Sequence, residues 1–144
     1  MGLVYFDASA LVKLVVDEAG SDLAADLLDG CDAALSSRLA HPEGCAALAA
    51  ARRDRDLSDR DLAQARRTWD EFWRATRPVE LTAAVERHAG ELAGRHGLRG
   101  ADAVHLASAL AVGADLVVAV WDRPLHAGAT AAGLAVAPTS LGPS

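Results

Sequence analysis

Aromatic side chains are scarce in this chain, only 4% of its 144 residues, so its core must be built mainly from aliphatic groups. Lysine is nearly absent: Lys13 is the only one among 14 basic residues, a bias that the base composition of a genome explains without any functional demand. The two cysteines, Cys31 and Cys45, form no CxxC pair and lack histidine partners at zinc-finger spacing. That excludes a zinc site of this kind and reads as two small core residues in a reducing compartment. No apolar run reaches the ~18 residues of a membrane span. The opening stretch, Met1-Gly2-Leu3-Val4-Tyr5-Phe6-Asp7, also lacks the basic start of a signal peptide. The expectation is a cytoplasmic protein without membrane contact. Positive charge is short too: a net charge of −6 counts against nucleic-acid binding through a general basic field. Internal repeats, low-complexity blocks and domain linkers are missing.

What remains is an apolar, alanine-, leucine- and valine-rich chain, 51% hydrophobic, of a length that suits one domain with a buried core. Leu3–Phe6 is a short β-prone run ending at Asp7, and Ala8–Val16 has helical potential. Ser21 suits an N-cap for Asp22–Leu28, with Gly30 as a stop. Ala33–Ser36 reads as a second strand, and Leu39–Arg53 as a helix with Pro42 tolerable near its first turn. Ser58 caps a helix that carries Leu62, Ala65, Trp69, Phe72 and Trp73 at helical spacing and ends at Arg77-Pro78. Val79–Leu81 is a brief strand, Thr82 caps the helix that Gly97 terminates, and Ala101–Ala111 forms another closed by Gly113. Leu116–Val120 is apolar throughout, as a central parallel strand should be. Pro124 starts a last short helix, and Leu134–Ala137 is a final strand before a flexible tail over 138–144. Strands alternating with helices imply an α/β domain with a mostly parallel sheet covered on both faces.

Ligands of open α/β sheets bind beyond the carboxyl ends of the strands, and acids gather there. Asp7 follows the first strand directly, and Asp122 lies two residues beyond Leu116–Val120. Asp102 falls in the first turn of its helix, where the dipole favours an anion, and Glu43 occupies the start of the helix after the second strand. Asp115 is excluded because it sits at the amino end of its strand. Carboxylates so grouped resist joint ionisation, and a hard cation with oxygen ligands, Mg²⁺ or Mn²⁺, removes the conflict. His105, one helical turn beyond Asp102, reads as a packing or supporting neighbour, since such a cation prefers oxygen. Arg99 and Arg123 flank two of the acids, where they are either solvated or able to hold phosphate groups. The Trp69, Phe72, Trp73 stripe reads as core or as a dimer contact.

Three local strings carry a resemblance. Asp7-Ala8-Ser9-Ala10-Leu11, then Gly100-Ala101-Asp102-Ala103-Val104-His105-Leu106-Ala107, then Gly113-Ala114-Asp115 through Trp121-Asp122-Arg123-Pro124-Leu125 together resemble the PIN-domain family. Within it they look most like VapC-type toxins, the ribonucleases of toxin–antitoxin pairs. The likeness runs from about residue 3 to residue 138. It implies a three-layer α/β/α sandwich and a Mg²⁺-dependent endoribonuclease. The family's four acids fall on Asp7, Glu43, Asp102 and Asp122, and its small hydroxyl residue falls on Ser9. Ser9 either orders a metal-bound water or caps the helix. The resemblance also implies a small VapB-like antitoxin that covers the acids, and a homodimer. Two departures stand out: His41-Pro42 precedes Glu43 where aliphatic residues are common, and Val120-Trp121 precedes Asp122 where Thr or Ser is frequent. They leave room for a module of this fold that binds RNA or regulates without cutting. A receiver-type phosphoacceptor would need a lysine near its last strand, which Lys13 in the first helix does not supply.

Overall fold

The computed structural model describes residues 2–113 and 115–143. Five strands, β1 (Leu3–Phe6), β2 (Ala33–Ser37), β3 (Arg77–Val79), β4 (Leu116–Ala119) and β5 (Ala135–Ala137), form one sheet in the order β3-β2-β1-β4-β5. Every pairing is parallel. Seven helices are described: α1 (Ala8–Val15), α2 (Ser21–Gly30), α3 (Ala40–Asp54), α4 (Asp59–Ala75), α5 (Ala83–His96), α6 (Gly100–Val112) and α7 (Arg123–Ala131).

The alternation of side chains along β1 generates the layers. Val4 and Phe6 enter one core with Leu11, Leu48, Trp69 and Phe72, contributed by α1, α3 and α4. Tyr5 enters the other with Val85, Leu92, Leu106 and Leu125, contributed by α5, α6 and α7. A sheet buried on both faces in this way is the expected α/β/α sandwich.

β1 lies at the centre, and the register pairs Phe6 with Ala119 of β4. The Asp7 amide continues this ladder by donating to the Ala119 carbonyl at 3.3 Å. The buried Ser36 hydroxyl donates to the Phe6 carbonyl at 2.6 Å, which anchors the residue before Asp7. Chain order reverses between β1 and β4, so their carboxyl ends border the crevice where ligands of such sheets bind.

Ser58 and Thr82 cap α4 and α5 as expected, accepting from the amides of Asp61 and Val85, and Gly97 ends α5 in the left-handed conformation. Other details differ from the sequence reading. β3 covers Arg77–Val79 rather than 79–81, because Pro78 is compatible with an edge strand; Leu81 lies beyond it, 55% exposed. Ser21 does not cap α2: Gly20 holds that position, while the Ser21 hydroxyl donates to Val16 and accepts from the Glu18 amide. Cys31 is only half-buried and Cys45 is exposed, so neither is the core residue expected. Trp69 and Phe72 are buried, and only Trp73 of the stripe is partly open.

Gly44 shows how tightly α3 meets α4. A Cβ at this position would collide with the six-membered ring of Trp69. Gly44→Ala should therefore destabilise the protein by about 1–3 kcal/mol, the usual cost of overpacking a closed contact. Urea unfolding of the variant checks this, and an unchanged midpoint would show that α3 and α4 can part without cost.

Candidate active site

Each of the four acids stands at a helix start. Asp7 is the N-cap of α1: its Oδ1 accepts the Ala10 amide at 2.9 Å and the Ser9 hydroxyl at 2.6 Å. Asp122 is the N-cap of α7, its Oδ2 accepting the Leu125 amide at 3.1 Å. Asp102 and Glu43 lie in the first turns of α6 and α3. Four positive helix ends thus face the side chains that carry negative charge.

Arg99 and His105 tie the group together. The Arg99 guanidinium lies 3.5 Å from Asp102 Oδ2 and 3.9 Å from Asp122 Oδ1, while remaining 82% exposed. His105 is buried, with Nε2 at 2.6 Å from Glu43 Oε1 and Nδ1 at 2.7 Å from the Tyr5 hydroxyl. Ser9 resolves its two readings in a third way. It neither caps the helix nor has its proton free for a water, since it donates to Asp7 and accepts the Trp121 amide at 3.1 Å. That bond joins the loop after β4 to the loop after β1. Arg123 turns to the tail instead, donating to the carbonyls of Leu141, Gly142 and Pro143. With His126 on the Pro138 carbonyl at 2.8 Å, it tethers the segment that reads as loose in the sequence. Asp115 precedes β4, at the far end from the acids.

Tyr5 was not legible as part of this cluster. It reads as one more apolar strand residue, although a lone buried tyrosine always needs a partner for its hydroxyl.

The donor set at the rim is oxygen. Asp102 Oδ2 is buried without a hydrogen-bond partner, since Arg99 approaches it at ion-pair distance but without hydrogen-bond geometry. A buried carboxylate oxygen held only by this long ion pair is one that a hard cation would satisfy better. Among the described residues no group of three or more His, Cys, Asp or Glu side chains is placed so that it could hold a metal ion as it stands, so the acids would have to draw together around one. Carboxylates with open positions for water suit Mg²⁺, which dehydrates reluctantly, better than a closed site.

Residues 4–120 match the family model of the PIN domain. Two relatives, Ribonuclease VapC45 of Mycobacterium tuberculosis (strain CDC 1551 / Oshkosh) and Ribonuclease VapC49 of Mycobacterium tuberculosis (strain ATCC 25618 / H37Rv), are each 70% identical over 144 residues, covering 99% of this chain and 100% of theirs. Among solved structures, PAE2754 from Pyrobaculum aerophilum superposes with a TM-score of 0.67 at 25% identity, over 97% of this chain and 87% of its own. VapBC2 from Rickettsia felis, solved with a DNA fragment from their promoter, superposes with a TM-score of 0.61 at 14% identity, over 93% of this chain and 96% of that one. At that identity the likeness is one of fold. The family resemblance carried by the three local strings is borne out.

Electrostatics follow from the crowding. Asp7 is 3% exposed, and burial raises its carboxyl from 3.8 to about 6, against the opposing effects of His105, Ser9 and the Ala10 amide and with help from the charge of Asp122. Asp102 is raised as well, by burial and then by Asp122, with Arg99 pulling the other way. A native carboxyl that holds its proton more tightly than the unfolded chain makes the fold most stable below its unfolded value. Stability is then lost as pH rises from about 4 through about 6. Asp7→Asn keeps an oxygen for Ser9 and Ala10 but has no charge to desolvate. In metal-free protein at pH 7 it should be more stable than wild type by something on the order of 2–3 kcal/mol. That gap should shrink as pH falls and close by about pH 3.5, below the unfolded value of 3.8. Urea midpoints at the two pH values test this, and a gap of equal size at both would contradict it.

Proposed function

The chain belongs to the PIN-domain family as a VapC-type ribonuclease toxin, and we propose that Asp7, Asp102 and Asp122, with Glu43 beside them, cut RNA around a divalent cation. The observation that carries this reading is the convergence of four acids at helix starts on the carboxyl rim, with a buried Asp102 oxygen lacking a hydrogen bond. Mg²⁺, or Mn²⁺ in its place, would be held by Asp7, Asp102 and Asp122. When bound, it supplies Lewis acidity toward water and phosphate oxygen at the rim.

The chain's own side chains do the rest. Ser9 holds Asp7 in place and accepts the Trp121 amide, so its bonds fix it between the two loops. The attacking group in this reading is water, with the acids in place to take its proton. Helix starts around the rim direct their dipoles toward an approaching phosphate. Arg99, anchored loosely and largely exposed, is free to leave the acids for the RNA backbone. Arg123, an equal candidate from sequence, is engaged with the tail and takes this part only if the tail moves.

The name of the curated relatives supports RNA as substrate, and the VapBC2 neighbour supports a VapB-like antitoxin as partner. We extend the reading to a homodimer acting in the cytoplasm. None of the described helices is long and apolar enough to cross a membrane. The homodimer contact would have Trp73 rather than the buried Trp69 at its disposal.

Asp7→Asn should lower RNA cleavage in Mg²⁺ by about 100-fold or more, the scale of losing one group that acts on developing charge, and should abolish Mn²⁺ binding measured by calorimetry. Undiminished cleavage by this variant would refute the site. Wild-type protein that retains RNA yet never cuts it in either cation would favour the non-catalytic module. Arg99→Ala should raise KM for RNA more than it lowers kcat, and should reduce the salt slope of RNA binding by about one. Filter binding across a salt series reads the slope, and an unchanged slope removes Arg99 from the RNA path.

A further inference from the structure

Beneath the acidic rim a buried chain of polar groups connects the centre of the sheet to Glu43. His105 is only 2% exposed, and both of its ring nitrogens are occupied, so neither is left to ligate a cation or meet RNA. Tyr5 lies edge-on to it with ring centroids 5.9 Å apart. A tyrosine phenol keeps its proton at neutral pH. Shielded from water, that proton needs an acceptor inside the protein, and Nδ1 of His105 stands 2.7 Å away. A ring that accepts at Nδ1 carries hydrogen at Nε2. That nitrogen is 2.6 Å from Glu43 Oε1; with the ring in this tautomer the bonds run one way, phenol to imidazole and imidazole to carboxylate.

Glu43 needs such support. Its side chain is long, sits in the first turn of α3 and is 29% exposed, and alone it would lose rotamer freedom on being held still. Asp7 and Asp122 are fixed by capping their own helices, a device not open to Glu43, whose fixed partner is His105. We propose that Tyr5 and His105 are positioning residues for RNA cleavage, holding Glu43 against the rim in one orientation while touching neither RNA nor cation. The proposal rests on the ribonuclease reading above and adds the means by which Glu43, the acid with the longest side chain, is placed.

A double-mutant cycle tests it with purified protein and a fluorogenic single-stranded RNA of randomised sequence. Tyr5→Phe removes only the hydroxyl. It should lower kcat about 10- to 100-fold, as loss of such supporting bonds does elsewhere, with KM little changed. His105→Gln, which keeps a donor near the place of Nε2, should lose less than His105→Leu. In a Glu43→Ala background neither Tyr5→Phe nor His105→Leu should cause further loss, because both act through Glu43. Additive losses in that background would overturn the proposal, as would equal losses for the Gln and Leu variants. If His105→Leu fails to fold, Tyr5→Phe still completes the cycle. Nitrogen-15 spectra of His105 supply a readout independent of cleavage. They should show hydrogen at Nε2 and a bare Nδ1 in the wild type, and a mixture of tautomers in Glu43→Ala. Hydrogen at Nδ1 alone, or no change in Glu43→Ala, would defeat the inference. Cleavage that survives Asp7→Asn would instead defeat the ribonuclease site itself, while an additive cycle with Asp7→Asn inactive defeats only the positioning role.

Discussion

Burying a carboxylate beside other carboxylates is unfavourable, and Asp7 stands where that constraint is tightest. It ends the central strand, is nearly closed off from water, and has Asp122 as a neighbour. Desolvation and like charge both favour the protonated form. Two donors, the Ser9 hydroxyl and the Ala10 amide, oppose this without overcoming it. A protein stable enough to fold with this arrangement carries a local strain that a cation at the rim would relieve. The net charge of −6 acquires a different meaning in this light, because part of it belongs to a site that positive charge would neutralise.

The sheet creates this crowding through register. β1 and β4 end in phase, with Phe6 opposite Ala119, so the loops that follow emerge side by side. The Ser9 hydroxyl spans them by bonding both Asp7 and the Trp121 amide. Helices leaving the same rim bring their positive ends with them, which is why Asp7 and Asp122 are at once helix caps and site residues. The structural reading of these residues and the functional one are therefore compatible rather than rival.

The other charged groups divide by what they touch. Arg99 is held only at ion-pair distance and stays in solvent, whereas Arg123 is committed to three tail carbonyls. Both flank an acid in sequence, and nothing in that adjacency distinguishes them. Glu43 and His105 are 62 positions apart, yet their bond is among the shortest at the site. Tyr5 completes it from a strand position that reads as purely apolar.

The amino-acid sequence by itself determined the class of the fold and the positions of the acids. Periodicity marks strands and helices because burial has a period, and an acid at a strand end or helix start is visible from local order alone. The caps at Ser58 and Thr82 were legible for the same reason, since a cap bonds within three residues. β3 was misplaced because Pro78 argues against a strand until the edge position is known, and Cys45 because exposure depends on which face α3 turns outward. Only the tertiary structure decided that His105 joins Tyr5 to Glu43, that Ser9 bridges two loops and that Arg123 holds the tail. Those bonds join residues distant along the chain, and their partners follow from the strand order β3-β2-β1-β4-β5, which no local pattern encodes.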